Sequence, residues 1–443
     1  MKKRRIFGAF QFIADLIVVL VSYFLIVNMK SLTRVPYTLP NIIAIKAILP
    51  YILTVFVALF FIYRLYEFEN LDFYEIFLGI VFSTIIIFIF TLAFSFFFRA
   101  FAVPRTLIIY SFFIQIILLP ISHFIISKIY FKVSSPLNFL CISKSTKSVA
   151  STFVEFINSE REKRGKIETE VLKSIEQLDN LESRFSDFSA FIIDNSFSLE
   201  EKEKIIKYFV YKEKLAYIVP DTYDLMLLLP RVHIVSDKLL LEVNLVNISS
   251  LDRLLKRALD IIVSIVALII FFPVILVVSI LILVDSGRPI FYLQERAGVN
   301  GKIFRIIKFR SMIKDAEKET GVVLSYESDP RVTKIGKFLR KTGLDEVPQF
   351  FNVLKGEMSI VGPRPERPES IGEIKKDTPD FDMRLKVKPG ITGYAQIYGK
   401  YDTPFEEKLR MDLLYAKQKY VVFTDIFIIF NTIKLFFLFK KRQ

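Results

Sequence analysis

The spacing of apolar and polar positions divides the chain. Four nearly uninterrupted apolar runs, at residues 6–27, 42–63, 76–98 and 107–130, come first. Each approaches or exceeds the roughly 20 residues a helix needs to cross a bilayer. The first follows "MKKRR" without a small-residue cleavage site and reads as an anchor, not a signal peptide. Lys2, Lys3, Arg4 and Arg5 before it, and Lys128 and Lys132 around the end of the fourth run, favour a cytoplasmic N-terminus. Lys30, Arg34 and Lys46 weaken that bias. Asp15 inside the first run is expected to face the interior of a bundle.

From about residue 134 to 250 the pattern changes. "LNFLCIS" and "FSAFIIDN" read as short buried strands, and "LEEKEKIIKYFVYKEK" as an amphipathic helix before a strand, "LAYIVP". The alternation predicts a small Rossmann-like α/β domain with a parallel sheet. "SKSTKS" stands after the first strand, where a dinucleotide-binding fold carries glycines, so an architectural or regulatory role is expected, without a nucleotide.

A fifth apolar run, 258–284, is basic on both flanks: Arg253, Lys256 and Arg257 before it, Arg288, Arg296 and Lys302 after it. A spanning helix should show asymmetry, and Pro273 interrupts the run. These features predict a re-entrant hairpin that enters and leaves on the cytoplasmic side; a plain fifth span is the alternative. The tail, 421–439, carries Asp425, Asn431 and Lys434 among its apolar residues and reads as an interfacial helix.

Composition sharpens this picture. The 443 residues are 53% hydrophobic with 46 Phe, too apolar for an ordinary soluble protein. The net charge of +14 suits anionic lipid head groups or phosphate-bearing substrates, and no nucleic-acid partner is expected. The single Cys141 excludes an internal disulfide. Two His and one Cys cannot build a zinc site, so any metal must be a hard cation held by oxygens, such as Mg²⁺.

After the fifth run the chain becomes rich in charged residues set beside Gly and Pro. "QERAGVNGKIFRIIKFRSM" supplies Arg296, Lys302, Arg305, Lys308 and Arg310; "DPRVTKIGKFLRKTGLDEVPQFFNVLKGEMSIVGPRPE" and "KVKPGITGYAQIYG" follow. Cations on fixed turns suit phosphate oxygens, or a basic surface lying on anionic lipid. Asp345 and Glu346 stand side by side ahead of Pro348. Thr342 to Asp345 resembles a capping box, and acids are favoured in a first helical turn. The same position would also let an ionised Asp attack phosphorus while its neighbour holds a cation.

Together, "LKRALDI" leading into the proline-broken run, "KFRSM", the "DE" segment, "PRP" and "KPGITGYAQIYG" resemble the bacterial sugar transferases. These are the polyprenyl-phosphate glycosyl-1-phosphate transferases of the monotopic superfamily, and the resemblance covers roughly residues 254–439. With the N-terminal spans and α/β domain, the chain is similar to the large form, the undecaprenyl-phosphate galactose and glucose phosphotransferases. The resemblance implies three parts. They are a four-span bundle (1–133), a degenerate Rossmann-like domain (134–250) and a mainly α catalytic domain (251–443) with its re-entrant hairpin. It implies transfer of sugar-1-phosphate from a UDP-sugar to undecaprenyl phosphate with release of UMP, at the start of surface polysaccharide assembly. It further implies a multi-pass protein of the bacterial inner membrane with its catalytic domain on the cytoplasmic face, and a homodimer is expected. In the family the Asp of the dyad is the nucleophile, here Asp345, and the Glu binds Mg²⁺, here Glu346. Arg364 of "PRP" would grip phosphate, and Lys308, Arg310, Arg340 and Asp425 fall in motifs near the same site. One departure stands out: where the family's hairpin often bends at Ser-Pro, this chain has Phe272-Pro273. The competing expectations are direct transfer without an intermediate, an inactive membrane scaffold, and a transporter. The last would need paired intramembrane charges, for which only Asp15 and His123 offer themselves.

Overall fold

The computed structural model describes residues 2–28, 39–63, 65–66, 73–98, 103–133, 138–144, 167–172, 187–188, 190–228, 231–235, 238–246, 248–313, 329–400, 402–418 and 421–438. The chain divides into two units, Met1–Val219 and Pro220–Gln443.

In the first unit the apolar runs become α1 (Lys2–Asn28), α2 (Leu39–Ile62), α3 (Phe73–Phe97) and α4 (Arg105–Val133). All are long and apolar enough to cross a membrane. Helix α1 packs along α4, α4 on α3 and α3 on α2. The α1–α4 seam is polar. Asp15 and His123 are each 1% exposed, and His123 Nε2 lies 2.7 Å from Asp15 Oδ2. Gln11 and Ser122 donate to Asp15 Oδ1 at 2.7 and 2.9 Å, and Gln115 donates to Ser22 at 2.8 Å. Asp15 therefore faces the bundle interior, as its position inside an apolar run predicts, and a histidine there partners it.

The four strands β1 (Phe139–Ser143), β2 (Ile167–Val171), β3 (Ala190–Ile193) and β4 (Ala216–Ile218) form a small parallel sheet in the order β2-β1-β3-β4. Helix α5 (Leu199–Tyr211) begins at a capping box between Ser198 and Glu201. It buries Ile205 and Phe209 against Leu140, Ile142, Phe191 and Ile193. All but the first two residues of "SKSTKS" lie outside the described residues.

The second unit begins at Pro220. Helix α6 (Thr222–Met226) packs Leu225 with Phe381, Leu409 and Leu413, and Lys417 donates to the carbonyls of Met226 and Asn244. A buried lysine that needs carbonyl acceptors draws this segment, with the hairpin β5 (Arg231–Val235)–β6 (Lys238–Glu242), into the second unit.

Helix α7 (Ser250–Ser286) has 37 residues and runs unbroken through Pro273. At 1.5 Å per residue it is about 55 Å long. Proline removes one donor and can bend a helix without ending it. Both ends of α7 are held by the same unit. Near its start, Arg257 donates to the carbonyls of Val353 and Leu354 at 2.7 and 2.8 Å, and Asp260 accepts from Ser359 and the Ile360 amide at 2.9 Å each. Near its end, Val278 and Ile282 pack on Phe309 and Leu339. Between them Ile262, Val266, Ile269, Ile270, Phe272 and Val277 are exposed, an apolar face suited to lipid.

The hairpin β7 (Phe291–Ala297)–β8 (Ile303–Phe309) sets Tyr292 opposite Lys308. Helices α8 (Lys334–Thr342) and α9 (Gln349–Lys355) follow, then the parallel pair β9 (Ser359–Val361) and β10 (Gly390–Thr392), with α10 (Pro368–Asp377) between them. The backbones of Gly362 and Gly390 touch so closely that a Cβ on Gly390 would lie 2.1 Å from the Gly362 nitrogen. Only glycine allows that approach, which anchors the loop leading to Arg364. Helices α11 (Tyr394–Tyr398), α12 (Phe405–Ala416) and α13 (Val421–Leu438) complete the unit. Helix α13 buries Val421, Asp425 and Ile428 and turns Phe423 outward.

Candidate functional site

Helix α8 opens with Thr333 accepting from the Gly336 amide and closes at Gly343, whose φ of 68° is left-handed. A single 3₁₀ turn, Leu344–Glu346, then carries both acids, and α9 starts after Pro348. The capping box expected at Thr342 is not formed: its hydroxyl donates back to Phe338 and Leu339 at 2.9 and 3.2 Å. The acids thus sit on a turn between two helices. Helix α9 has only seven residues, so side-chain cations, not a helix dipole, set their charge.

Glu346 is engaged at both oxygens. Its Oε1 lies 3.1 Å from Lys308 Nζ and 2.6 Å from Arg364 Nη2, and its Oε2 lies 3.3 Å from Arg364 Nη1. Asp345 makes no hydrogen bond or ion pair among the described residues, so its carboxylate is available. The two acids are driven apart electrostatically. Burial, ahead of the charge on Glu346, pushes the Asp345 carboxyl up to about 6. Burial alone would also raise Glu346, but Arg364 and Lys308 override it and hold Glu346 well below the usual carboxylate range. Glu346 keeps 16% of its side-chain surface, Lys308 18% and Arg364 48%, so the site opens on the Arg364 side.

The remaining predicted residues have other hydrogen-bond partners. Arg340, at the end of α8, acts electrostatically on Asp345 and donates to Ser311 at 2.9 Å. Arg310 is 5% exposed and donates to the carbonyls of Ser286 and Gly287 at 2.6 and 2.5 Å. It caps the end of α7 instead of joining the dyad. Asp425 is also drawn elsewhere: Lys256 donates to it at 2.6 Å and Tyr415 at 2.8 Å, with Tyr415 also bonded to the Val361 carbonyl at 3.0 Å. That buried cluster ties α13 to α7 and β9. Pro273 lies in the exposed middle of α7.

Several positioning residues escape a reading of motifs alone. Asn352 is fully buried: it accepts from the Ile307 amide at 2.9 Å and donates to the Arg305 carbonyl at 2.8 Å, fixing β8 and its Lys308 against α9. Behind the "PRP" loop, Arg384 donates to the Arg364 carbonyl at 2.9 Å and lies 2.8 Å from Asp412. Arg296 donates to the Pro365 carbonyl at 3.1 Å. These two arginines clamp the loop main chain and leave the Arg364 guanidinium to face Glu346. Isolated charges such as Arg384 and Asp412 are visible in the sequence, but their pairing is not.

Among the described residues no cluster of three or more His, Cys, Asp or Glu side chains could cage a metal. Magnesium, however, often takes one or two carboxylates and completes its shell with water and substrate phosphates. Glu346 and Asp345 fit that incomplete donor set.

Residues 251–439 match the family model described as bacterial sugar transferase. The chain is 38% identical over 189 residues to the UDP-N-acetylgalactosamine-undecaprenyl-phosphate N-acetylgalactosaminephosphotransferase of Aeromonas hydrophila, covering 42% of this chain and 44% of that protein. It is 38% identical over 221 residues to the UDP-glucose:undecaprenyl-phosphate glucose-1-phosphate transferase of Escherichia coli (strain K12), covering 49% and 47%. Thus it spans less than half the length of these two relatives. It is 50% identical over 131 residues to the putative undecaprenyl-phosphate N-acetylgalactosaminyl 1-phosphate transferase of Bacillus subtilis (strain 168), covering 30% of this chain and 73% of that protein. With Lys308, the Asp345–Glu346 turn and the "PRP" loop all inside the matched segment, the chain belongs to the bacterial sugar transferase family.

Proposed function

We propose that this chain transfers sugar-1-phosphate from a UDP-sugar to undecaprenyl phosphate and releases UMP. The observation that carries the reading is the unequal state of the two acids: Glu346 saturated by Lys308 and Arg364, Asp345 beside it unengaged among the described residues. The names of the relatives support the acceptor, and two of them support the donor.

In this mechanism an Asp345 oxygen attacks the sugar-bearing phosphorus of the donor. The bond from that phosphorus to the bridging oxygen breaks, UMP leaves with that oxygen, and an aspartyl-phosphosugar remains. An oxygen of undecaprenyl phosphate then attacks the same phosphorus, the Asp345–phosphorus bond breaks, and the carboxylate is regenerated. Arg364, Lys308 and Arg340 offset the negative charge that two phosphates bring together. Glu346 would hold a magnesium ion, which when bound neutralises phosphate oxygens. Helix α7 is read as re-entrant because one unit grips both its ends, which keeps the site at the depth of the lipid phosphate. The catalytic unit then lies on the cytoplasmic face of a bacterial inner membrane, and the protein forms a homodimer, which the mass of the solubilised particle would test.

The test is release of UMP from a panel of UDP-sugars by the purified protein. Exchange of labelled UMP into UDP-sugar without lipid acceptor is expected, as is a phosphosugar trapped on the wild type and absent from Asp345→Asn. Near-normal turnover by Asp345→Asn would overturn the assignment. Turnover without exchange or trapping would favour direct transfer.

A further inference from the structure

We infer that Arg364 and Lys308 make the divalent ion and the donor diphosphate load as one unit: both cations leave Glu346 for phosphate oxygens as the ion takes the carboxylate. This rests on the function proposed above and concerns how its site fills.

Glu346 already holds two cations. Arg364 spans both its oxygens, at 2.6 and 3.3 Å, and Lys308 shares one of them at 3.1 Å. A divalent ion arriving alone would be a third cation on one carboxylate. Around the dyad, Lys308, Arg340 and Arg364 already outnumber Asp345 and Glu346 by one charge, so the ion would raise the local excess from one to three. A diphosphate arriving alone meets the opposite obstacle: taking Arg364 and Lys308 strips Glu346 of its partners and leaves a carboxylate that is 16% exposed without compensation. Together they bring nearly equal and opposite charge. Every group then keeps a partner, with phosphate on the cations and the ion on Glu346.

The exchange needs only side-chain motion. The Arg364 main chain is clamped by Arg384 and by the Gly362–Gly390 contact, yet its guanidinium side chain is 48% exposed and free to swing. Lys308 extends from β8, which Asn352 pins, on a four-carbon stem with three rotatable donors. Linkage then requires that the diphosphate tighten the ion by the same factor as the ion tightens the diphosphate.

The experiment uses the full chain in nanodiscs, with Mn²⁺ read by electron paramagnetic resonance and labelled UDP by equilibrium dialysis, corrected for the Mn²⁺–UDP complex in solution. In the wild type each is expected to tighten the other by about tenfold or more. A metal that merely bridges protein and phosphate would also give that synergy, so the decisive comparison is Arg364→Met. Removing its hold on Glu346 should tighten Mn²⁺ binding in the absence of UDP by about tenfold and reduce the coupling. Lys308→Met provides the same sign of change if Arg364→Met does not fold. Unchanged or weaker binding of Mn²⁺ alone in a folded variant would overturn the exchange and leave the proposed activity standing. Failure of the wild type to bind UDP even with Mn²⁺ would sink both.

Discussion

Nη2 of Arg364 lies 2.6 Å from Oε1 of Glu346 and Nη1 lies 3.3 Å from Oε2, a two-point contact between residues 18 positions apart. A planar guanidinium presents two parallel donors from separate nitrogens to one carboxylate, or later to one phosphate; an ammonium has no such fixed fork. Arg364→Lys should therefore lower kcat/KM for UMP release by about 10- to 100-fold, equivalent to ~1.4–2.7 kcal/mol. A rate within twofold of wild type would remove Arg364 from the reaction.

The raised Asp345 carboxyl predicts an acid limb in the pH–rate profile. Burial, then the Glu346 charge, lifts it to about 6. A carboxyl with a raised pKa is protonated below that value, so the nucleophile is lost as pH falls through about 6. The rate should then approach a tenfold drop per unit. Residual activity of Glu346→Gln should show the limb at lower pH, because the neighbouring negative charge is gone. A wild-type profile that is flat down to pH 5 would exclude Asp345 as the ionised nucleophile.

Arg384 and Asp412, 4% and 2% exposed, form an ion pair behind the "PRP" loop. Burial pushes the Asp412 carboxyl up to about 6, so removing its arginine would leave a buried, uncompensated acid. Arg384→Met should destabilise the second unit by about 3–5 kcal/mol, and Arg384→Met with Asp412→Leu should recover much of that loss. Thermal unfolding of the solubilised protein compares them. Because the folded carboxyl is raised, the folded state binds the extra proton as pH falls from 7 toward 5. Arg384→Met should therefore regain stability over that range. Equal stability of the single and double variants would show that the pair is not coupled.

The two readings of α7 predict opposite labelling. A re-entrant helix leaves residues 288–300 on the same side as residues 250–257, whereas a plain span puts them across the membrane. Cys141, the only native cysteine, is buried and contributes little background. Single cysteines introduced at 288–300 should resist an impermeant maleimide added outside intact cells; their labelling would establish the span.

The sequence by itself determined the elements whose signal is local. The four N-terminal helices follow from the length of their apolar runs, and β1, β3, β4 and α5 from short-range periodicity and a capping box. The neighbourhood of Asp345, Glu346 and Arg364 was legible from turns rich in Gly, Pro and charge. Only the tertiary structure decided which charges meet. It brought Lys308, Glu346 and Arg364 together, gave Arg310 to the end of α7 and Asp425 to Lys256, and supplied Arg384 and Asn352 as supports. It also carried α7 through Pro273 and packed Leu225 of α6 with Phe381, Leu409 and Leu413. The physical reason is common to all of these. A buried ionic or carbonyl group is satisfied by whatever partner the packed chain presents, often far away in sequence, and local spacing holds no record of that choice.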